Sequence, residues 1–173
     1  ASTSRGVGVY FDNRGHANIT STTITGNTAG NGGGGAMVVG TKATADLVST
    51  TISGNTGGSI RALGLNTRET VVTMTDCVVK DNVPSNMAIY FTSGTLILSG
   101  NSALTDCIVG AGAIVTITSG AIVDLTGNVN TWAINPSGTI IVNDGCTVIN
   151  SAGASVSIAG GTYTKIKNDG TTA

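Results

Sequence analysis

Thr22-Thr23-Ile24-Thr25-Gly26-Asn27-Thr28 recurs as Thr50-Thr51-Ile52-Ser53-Gly54-Asn55-Thr56, a shift of 28 residues. A looser copy, Val79-Lys80-Asp81-Asn82, follows 27 residues later. Leu98-Ser99-Gly100-Asn101 and Leu125-Thr126-Gly127-Asn128 keep the same aliphatic-x-x-Asn shape. A unit of this length cannot bury its own apolar face, but stacked copies close a continuous interior. Parallel strands about 4.8 Å apart would then place Ile24, Ile52 and Val79 in one inward ladder. Thr23, Thr25, Thr51 and Ser53 would face solvent. Asn27, Asn55, Asn82, Asn101 and Asn128 would mark the bends, because Asn tolerates the left-handed backbone of a sharp turn. Their stacked amides can also bond to one another along the axis.

A second signal precedes the first. Gly6-Val7-Gly8-Val9-Tyr10-Phe11, Gly34-Gly35-Ala36-Met37-Val38-Val39 and Met87-Ala88-Ile89-Tyr90-Phe91 read as one strand revisited. After Gly94 the periods shorten, while alternating aliphatics persist from Leu96 and Leu98 through Ile114, Ile117, Val123, Leu125, Ile140, Val142 and Val148 to Val156 and Ile158. Ser119-Gly120-Ala121-x-Val123 returns 25 residues later as Asp144-Gly145-Cys146-x-Val148. The expected fold is all-β, a right-handed parallel β-helix (β-solenoid) of about seven rungs. It forms a single domain over 1–173, with longer rungs over 1–93 and shorter, more apolar ones over 94–173. Two registers compete at the junction. Thr75-Asp76-Cys77-Val78-Val79 and Thr105-Asp106-Cys107-Ile108-Val109 repeat at 30 residues, which would stack two cysteines within disulfide reach. The asparagines instead imply 19 residues between Asn82 and Asn101.

Composition narrows the function classes. Charged residues are only 10% of the chain, with Gly at 26 and Pro at 2, which disfavours helix, disorder and collagen together. A net charge of −1 with no basic stripe argues against nucleic acid as a partner. No apolar run is long enough for a membrane-spanning helix, so no membrane insertion of this segment is expected. The N-terminus carries no signal peptide, and the sequence reads as a mature or excised segment whose targeting information lies elsewhere. Cys77, Cys107 and Cys146 are too few and too far apart for a disulfide framework or a CxxC metal site. They read as buried free thiols, with one disulfide as the alternative.

The candidate chemistry is sparse. The acids Asp12, Asp46, Glu69, Asp76, Asp81, Asp106, Asp124, Asp144 and Asp169 are spread singly along the chain. Asp76 and Asp106 would share a column only in the 30-residue register, where two like charges need a cation between them. His16 is the one histidine, so a His-ligated metal or a His-based triad is disfavoured and an exposed loop position is expected. Gly30-Asn31-Gly32-Gly33-Gly34-Gly35 lacks the Lys-Ser/Thr of a phosphate loop. Asn18-Ile19-Thr20 is an N-glycosylation sequon. Trp132 and the Tyr10/Phe11 and Tyr90/Phe91 pairs suit packing better than a sugar platform. Lys165-Ile166-Lys167 reads as an edge-strand charge pair. The pairs Thr23/Thr25, Thr73/Thr75, Thr116/Thr118 and Thr162/Thr164 raise an ice-binding array, which Val78 and Lys80 interrupt. No catalytic, cofactor-binding or metal residue is expected.

The alternation of Gly34-Gly35-Ala36-Met37, and more loosely Gly57-Gly58-Ser59-Ile60, with Ile24-Thr25-Gly26-Asn27, Ile52-Ser53-Gly54-Asn55 and Val79-Lys80-Asp81-Asn82 resembles the repeats of polymorphic outer-membrane proteins. It is similar also to adhesin-type passengers of the pectate-lyase-like β-helix superfamily. The likeness covers about the first ninety residues. It implies an exported, cell-surface or extracellular module: a non-catalytic stalk or adhesin, or a subunit of a head-to-tail fibre. Its partners would be another copy of itself, end to end, or a surface glycan or protein. A polysaccharide lyase or hydrolase of the same superfamily is the rival reading, and an ice-binding protein the minor one. The chain departs from the likeness in lacking a Cys-rich pattern, a β-barrel translocator and a capping helix.

Overall fold

The computed structural model describes residues 8–11, 13–29, 35–57, 60–62, 69–83, 89–91, 93–104, 113–124, 139–143, 146–149, 167–168 and 171–172. Among these residues the chain is all-β, with no helix. Three sheets are parallel throughout, and none closes on itself. The first contains β1 (Val9–Phe11), β4 (Met37–Val39), β7 (Ile60–Ala62) and β10 (Ile89–Phe91), in that order. The second runs β2 (His16–Thr20), β5 (Thr44–Val48), β8 (Val71–Thr75), β11 (Gly94–Ser99), β13 (Ala113–Ile117) and β15 (Thr139–Val142). The third runs β3 (Thr23–Thr25), β6 (Thr51–Ser53), β9 (Val78–Lys80), β12 (Asn101–Leu104), β14 (Ile122–Asp124) and β16 (Thr147–Ile149). Through β12 the chain therefore lays one strand in each sheet in turn before returning to the first. A small antiparallel pair, β17 (Lys167–Asn168) and β18 (Thr171–Thr172), follows near the C-terminus.

The pairing registers reproduce the sequence repeats. Val9, Met37, Ile60 and Ile89 fall in line, so Val9-Tyr10-Phe11 and Ile89-Tyr90-Phe91 occupy one column. Ile24, Ile52, Val79 and Leu104 form another, with steps of 28, 27 and 25 residues. The step falls to 19 between Gly94 and Ala113. Val123 pairs with Val148, as the 25-residue repeat requires. The second and third sheets each hold six strands. The part of the chain where a seventh rung is expected, including Val156 and Ile158, lies largely outside the described residues.

Alternation decides what is buried. Ala45 and Leu47, Val72 and Met74, Leu96 and Leu98, then Val115 and Ile117 point inward along the second sheet. They meet Ile24, Ile52, Val79, Leu104 and Val123 of the third sheet and Met37, Val39 and Ile89 of the first in a single cluster. Removing such a side chain from water stabilises by about 2 kcal/mol. The apolar ladder thus supplies the driving force, and the parallel hydrogen bonds fix its axial spacing.

The junction follows neither competing register. Val78 lies opposite Ala103 and Val79 opposite Leu104, a step of 25 residues rather than 30 or 19. Ser99 still lies opposite Thr75, so one extra residue enters after Gly100, in the manner of a bulge. The bulge carries Asn101 away from Asn82 and opposite Ile122, exposed at an earlier corner. There its backbone N–H donates to Asp76 Oδ1 at 2.8 Å. Cys77 consequently sits beside Ser102, whose Oγ accepts from the Cys77 N–H at 3.2 Å, and both Cys77 and Cys146 are free, buried thiols. Cys107 and Asp106 lie outside the described residues.

Candidate functional site

Inward polar side chains line the two corners that flank the third sheet. The first lies between the second and third sheets, where Ser21, Ser49, Asp76, Gly100 and Gly120 all take left-handed backbone (φ 49, 48, 53, 59 and 74°). The second follows the third sheet, where Gly26, Gly54 and Asp81 do the same (φ 71, 62 and 57°). The left-handed residue at this second corner is the one before each Asn, not the Asn expected from the sequence. Freed from making the bend, the Asn side chains turn to hydrogen bonding.

Asn55 is fully buried and Asn82 nearly so. Asn55 Nδ2 donates to Ile24 O on the preceding rung at 3.0 Å and to Ser53 O on its own at 3.1 Å. Asn55 Oδ1 accepts from the Asn27 N–H at 3.1 Å and from Asn27 Nδ2 at 2.9 Å. Asn82 repeats the arrangement one rung on, donating to Ile52 O and Lys80 O while accepting from Asn55 N and Nδ2 at 3.0 Å each. Each buried amide therefore has both its donors and its acceptor engaged. Asn128 lies outside the described residues.

The first corner solves the same problem with shorter side chains. Thr50 Oγ1 is placed to donate to Ile19 O at 3.3 Å and Val48 O at 3.0 Å. Cys77 Sγ faces Leu47 O at 3.4 Å and Thr75 O at 3.3 Å. Burial pushes the Cys77 thiol above its ordinary pKa, so it holds its proton.

Titratable groups meet on the outer face of β2 and β5. His16 is exposed, as expected, but is the first residue of β2 rather than part of a loop. Its Nδ1 lies 2.6 Å from Thr44 Oγ1, its Nε2 3.2 Å from Asn18 Oδ1 and 3.8 Å from Asp46 Oδ2. Since Asn18 Oδ1 can only accept, a neutral ring carries its proton on Nε2 and accepts from Thr44 on Nδ1. A hydroxyl–imidazole contact is the beginning of a nucleophile–base pair, but the third member is wrong here. Asp46 stands beyond hydrogen-bond range, and the face is open to water instead of enclosing a reacting group. The cluster ties two strands together. Asn18, the sequon residue, is part of it.

Beside this cluster lies a pocket of about 370 Å³ lined by Asn13, Arg14, Thr41 and Lys42. Lys42 Nζ pairs with Glu69 at 2.8 Å. The Thr-x-Thr pairs do not combine into one array: Thr23/Thr25 are on the third sheet, while Thr73/Thr75 and Thr116/Thr118 lie along the second, with Ile97 and Ser99 between them. Trp132 and Thr162/Thr164 lie outside the described residues, as do Gly30 to Gly34. Sequence reasoning missed the Thr50–Cys77–Ser102 corner, whose members share no residue type, and the Arg14/Lys42 pocket, whose signal was the 28-residue period continued back to Arg14. Comparison of the chain with family models, with curated proteins and with solved structures returns no match.

Proposed function

We propose that this chain is a non-catalytic structural module, a right-handed parallel β-helix serving as a stalk or adhesive rod on an exported surface protein or as a fibre subunit. The observation that carries the reading is where the converging polar side chains direct their hydrogen bonds. Asn27, Asn55, Asn82, Thr50 and Cys77 bond to the chain's own carbonyls and to one another, which stiffens successive turns and leaves little to act on a substrate. Right-handed coiling is the handedness parallel crossover connections adopt almost without exception. Turns stacked through parallel strand pairing give a rod whose stiffness needs no cofactor, with partners met by outer faces or by another copy stacked on an open strand edge.

Negative-stain electron microscopy together with a polysaccharide-cleavage assay tests this. Short rods or filaments that do not cleave acidic polysaccharide, with or without Ca²⁺, are expected. Ca²⁺-dependent release of reducing or unsaturated sugar ends would replace the structural reading with the lyase one.

A further inference from the structure

We infer that the Asn13-Arg14/Thr41-Lys42 corner is a binding site for a tetrahedral oxyanion, sulfate or phosphate, carried as an ester on a small group such as one sugar unit. The four lining residues come from two successive turns of the chain between the first and second sheets. Each turn contributes one cation and one uncharged residue with donor capacity: Arg14 with Asn13, and Lys42 with Thr41. Among the described residues no carboxylate belongs to the lining. Glu69 holds Lys42 at 2.8 Å, whereas Arg14 has no ion pair among the described residues. Among the described residues the pocket therefore keeps one guanidinium without a counter-charge, in a chain whose net charge is −1.

The frame behind these side chains is fixed before any ligand arrives. Arg14 N–H donates to Thr41 O at 3.1 Å, Gly40 N–H to Phe11 O at 2.9 Å and Thr44 N–H to Gly15 O at 2.9 Å. Lys42 N–H donates to Thr70 Oγ1 at 3.1 Å on the next turn. Arg14 and Lys42 share one backbone conformation, φ 62 and 61°, so the two cations are presented alike one strand spacing apart. A planar carboxylate would be satisfied by the Arg14 fork alone. Donors arriving from two levels about 4.8 Å apart suit an anion with oxygens in three dimensions. A volume of about 370 Å³ exceeds what a bare ion fills and leaves room for the ester's carrier.

The test is a titration of ¹⁵N-labelled protein with sodium sulfate and, separately, sodium phosphate at constant ionic strength, with sodium chloride as the control. Saturable shifts at the backbone amides of Arg14, Thr41 and Lys42, absent with chloride, are expected with at least one of the two anions. The tighter arm identifies which ester to pursue. Arg14→Gln should weaken binding about tenfold, as loss of a charge-assisted contact does. Glu69→Gln, which releases Lys42 into the pocket, should tighten it. Lys80→Gln, on the outer face of the third sheet, should leave it unchanged. Shifts that follow chloride equally, or an Arg14→Gln protein that titrates like the parent, would overturn the site. If Arg14→Gln fails to fold, tighter binding by Glu69→Gln beside unchanged binding by Lys80→Gln upholds the site, and equal binding by the two overturns it.

Discussion

The two polar corners of the stack do one job with different chemistry. At both, an inward side chain bonds to a carbonyl two residues back and to another 30 or 31 residues back, on the preceding rung. Asn55 reaches Ser53 and Ile24, and Asn82 reaches Lys80 and Ile52. Thr50 reaches Val48 and Ile19, and Cys77 reaches Thr75 and Leu47. The Asn corner does one thing more. Its Oδ1 accepts the side-chain amide of the previous Asn as well as the backbone N–H, where Ser102 Oγ accepts only the Cys77 N–H, so each Asn depends on the next. A hydroxyl or thiol that bonds only to backbone groups is replaceable by another. Mutual dependence keeps residue identity fixed along a column, whereas bonding to backbone groups lets Thr, Cys and Ser alternate.

The largest effect should come from cutting the mutual ladder at its buried centre. Asn55→Ala takes the acceptor from the Asn27 N–H and strips the amide that bonds Asn82 Oδ1, Ile24 O and Ser53 O, leaving Asn82 Oδ1 only the Asn55 backbone N–H. With several buried groups left unpaired, a loss of about 3 kcal/mol is expected, read from urea unfolding. Thr50→Val, nearly isosteric, strips only the carbonyl contacts and should cost about 1.5 kcal/mol. If the two variants lose the same amount, the side-chain-to-side-chain bonds add nothing and the distinction between the corners collapses.

This difference also explains how much could be read in advance. Ile24, Ile52 and Val79 were legible as one column because alternation and the 28- and 27-residue steps agree. The Asn27–Asn55–Asn82 column was legible because a ladder of identical amides leaves identical letters. Asn101 was misleading for the same reason: its letter matched, but the extra residue after Gly100 had moved it opposite Ile122, beside Asp76. A bulge is invisible to a motif that counts from the nearest Asn. The Thr50–Cys77–Ser102 corner could not be read because a donor, not a residue type, is what the backbone requires there. The Arg14/Lys42 pocket depends on two turns meeting side by side, which single-strand alternation does not report.

Cys77 sharpens the comparison through pH. Replacing a thiol by a hydroxyl keeps the donor, so Cys77→Ser should change stability by about 1 kcal/mol or less at neutral pH. The pH dependence should change more clearly. Burial raises the folded thiol's pKa, so the folded state favours the protonated form. That contribution is complete below the ordinary thiol pKa and is lost as pH climbs through the raised folded value. The urea midpoint of the parent should therefore fall more steeply between neutral and strongly alkaline pH than that of Cys77→Ser. Parallel curves would show that this thiol ionises as freely folded as unfolded.

The smallest effect is expected at the backbone of the hydroxyl corner, where Ser49 occupies a left-handed position that Gly100 and Gly120 fill further along. A non-glycine residue there carries strain of about 1 kcal/mol, which Ser49→Gly relieves. Glycine also widens the unfolded ensemble, offsetting about 0.4 to 1 kcal/mol of that gain. The net change should be a stabilisation of no more than about 0.5 kcal/mol, measured by urea unfolding. The exposed Ser49 holds its bend through its backbone, whose N–H donates to Thr75 O at 2.9 Å, and glycine keeps that bond. A clear loss of stability would mean that the hydroxyl itself carries part of the turn. The first corner would then share the residue-specific character of the Asn ladder, and Ser49 would join Thr50 in fixing it.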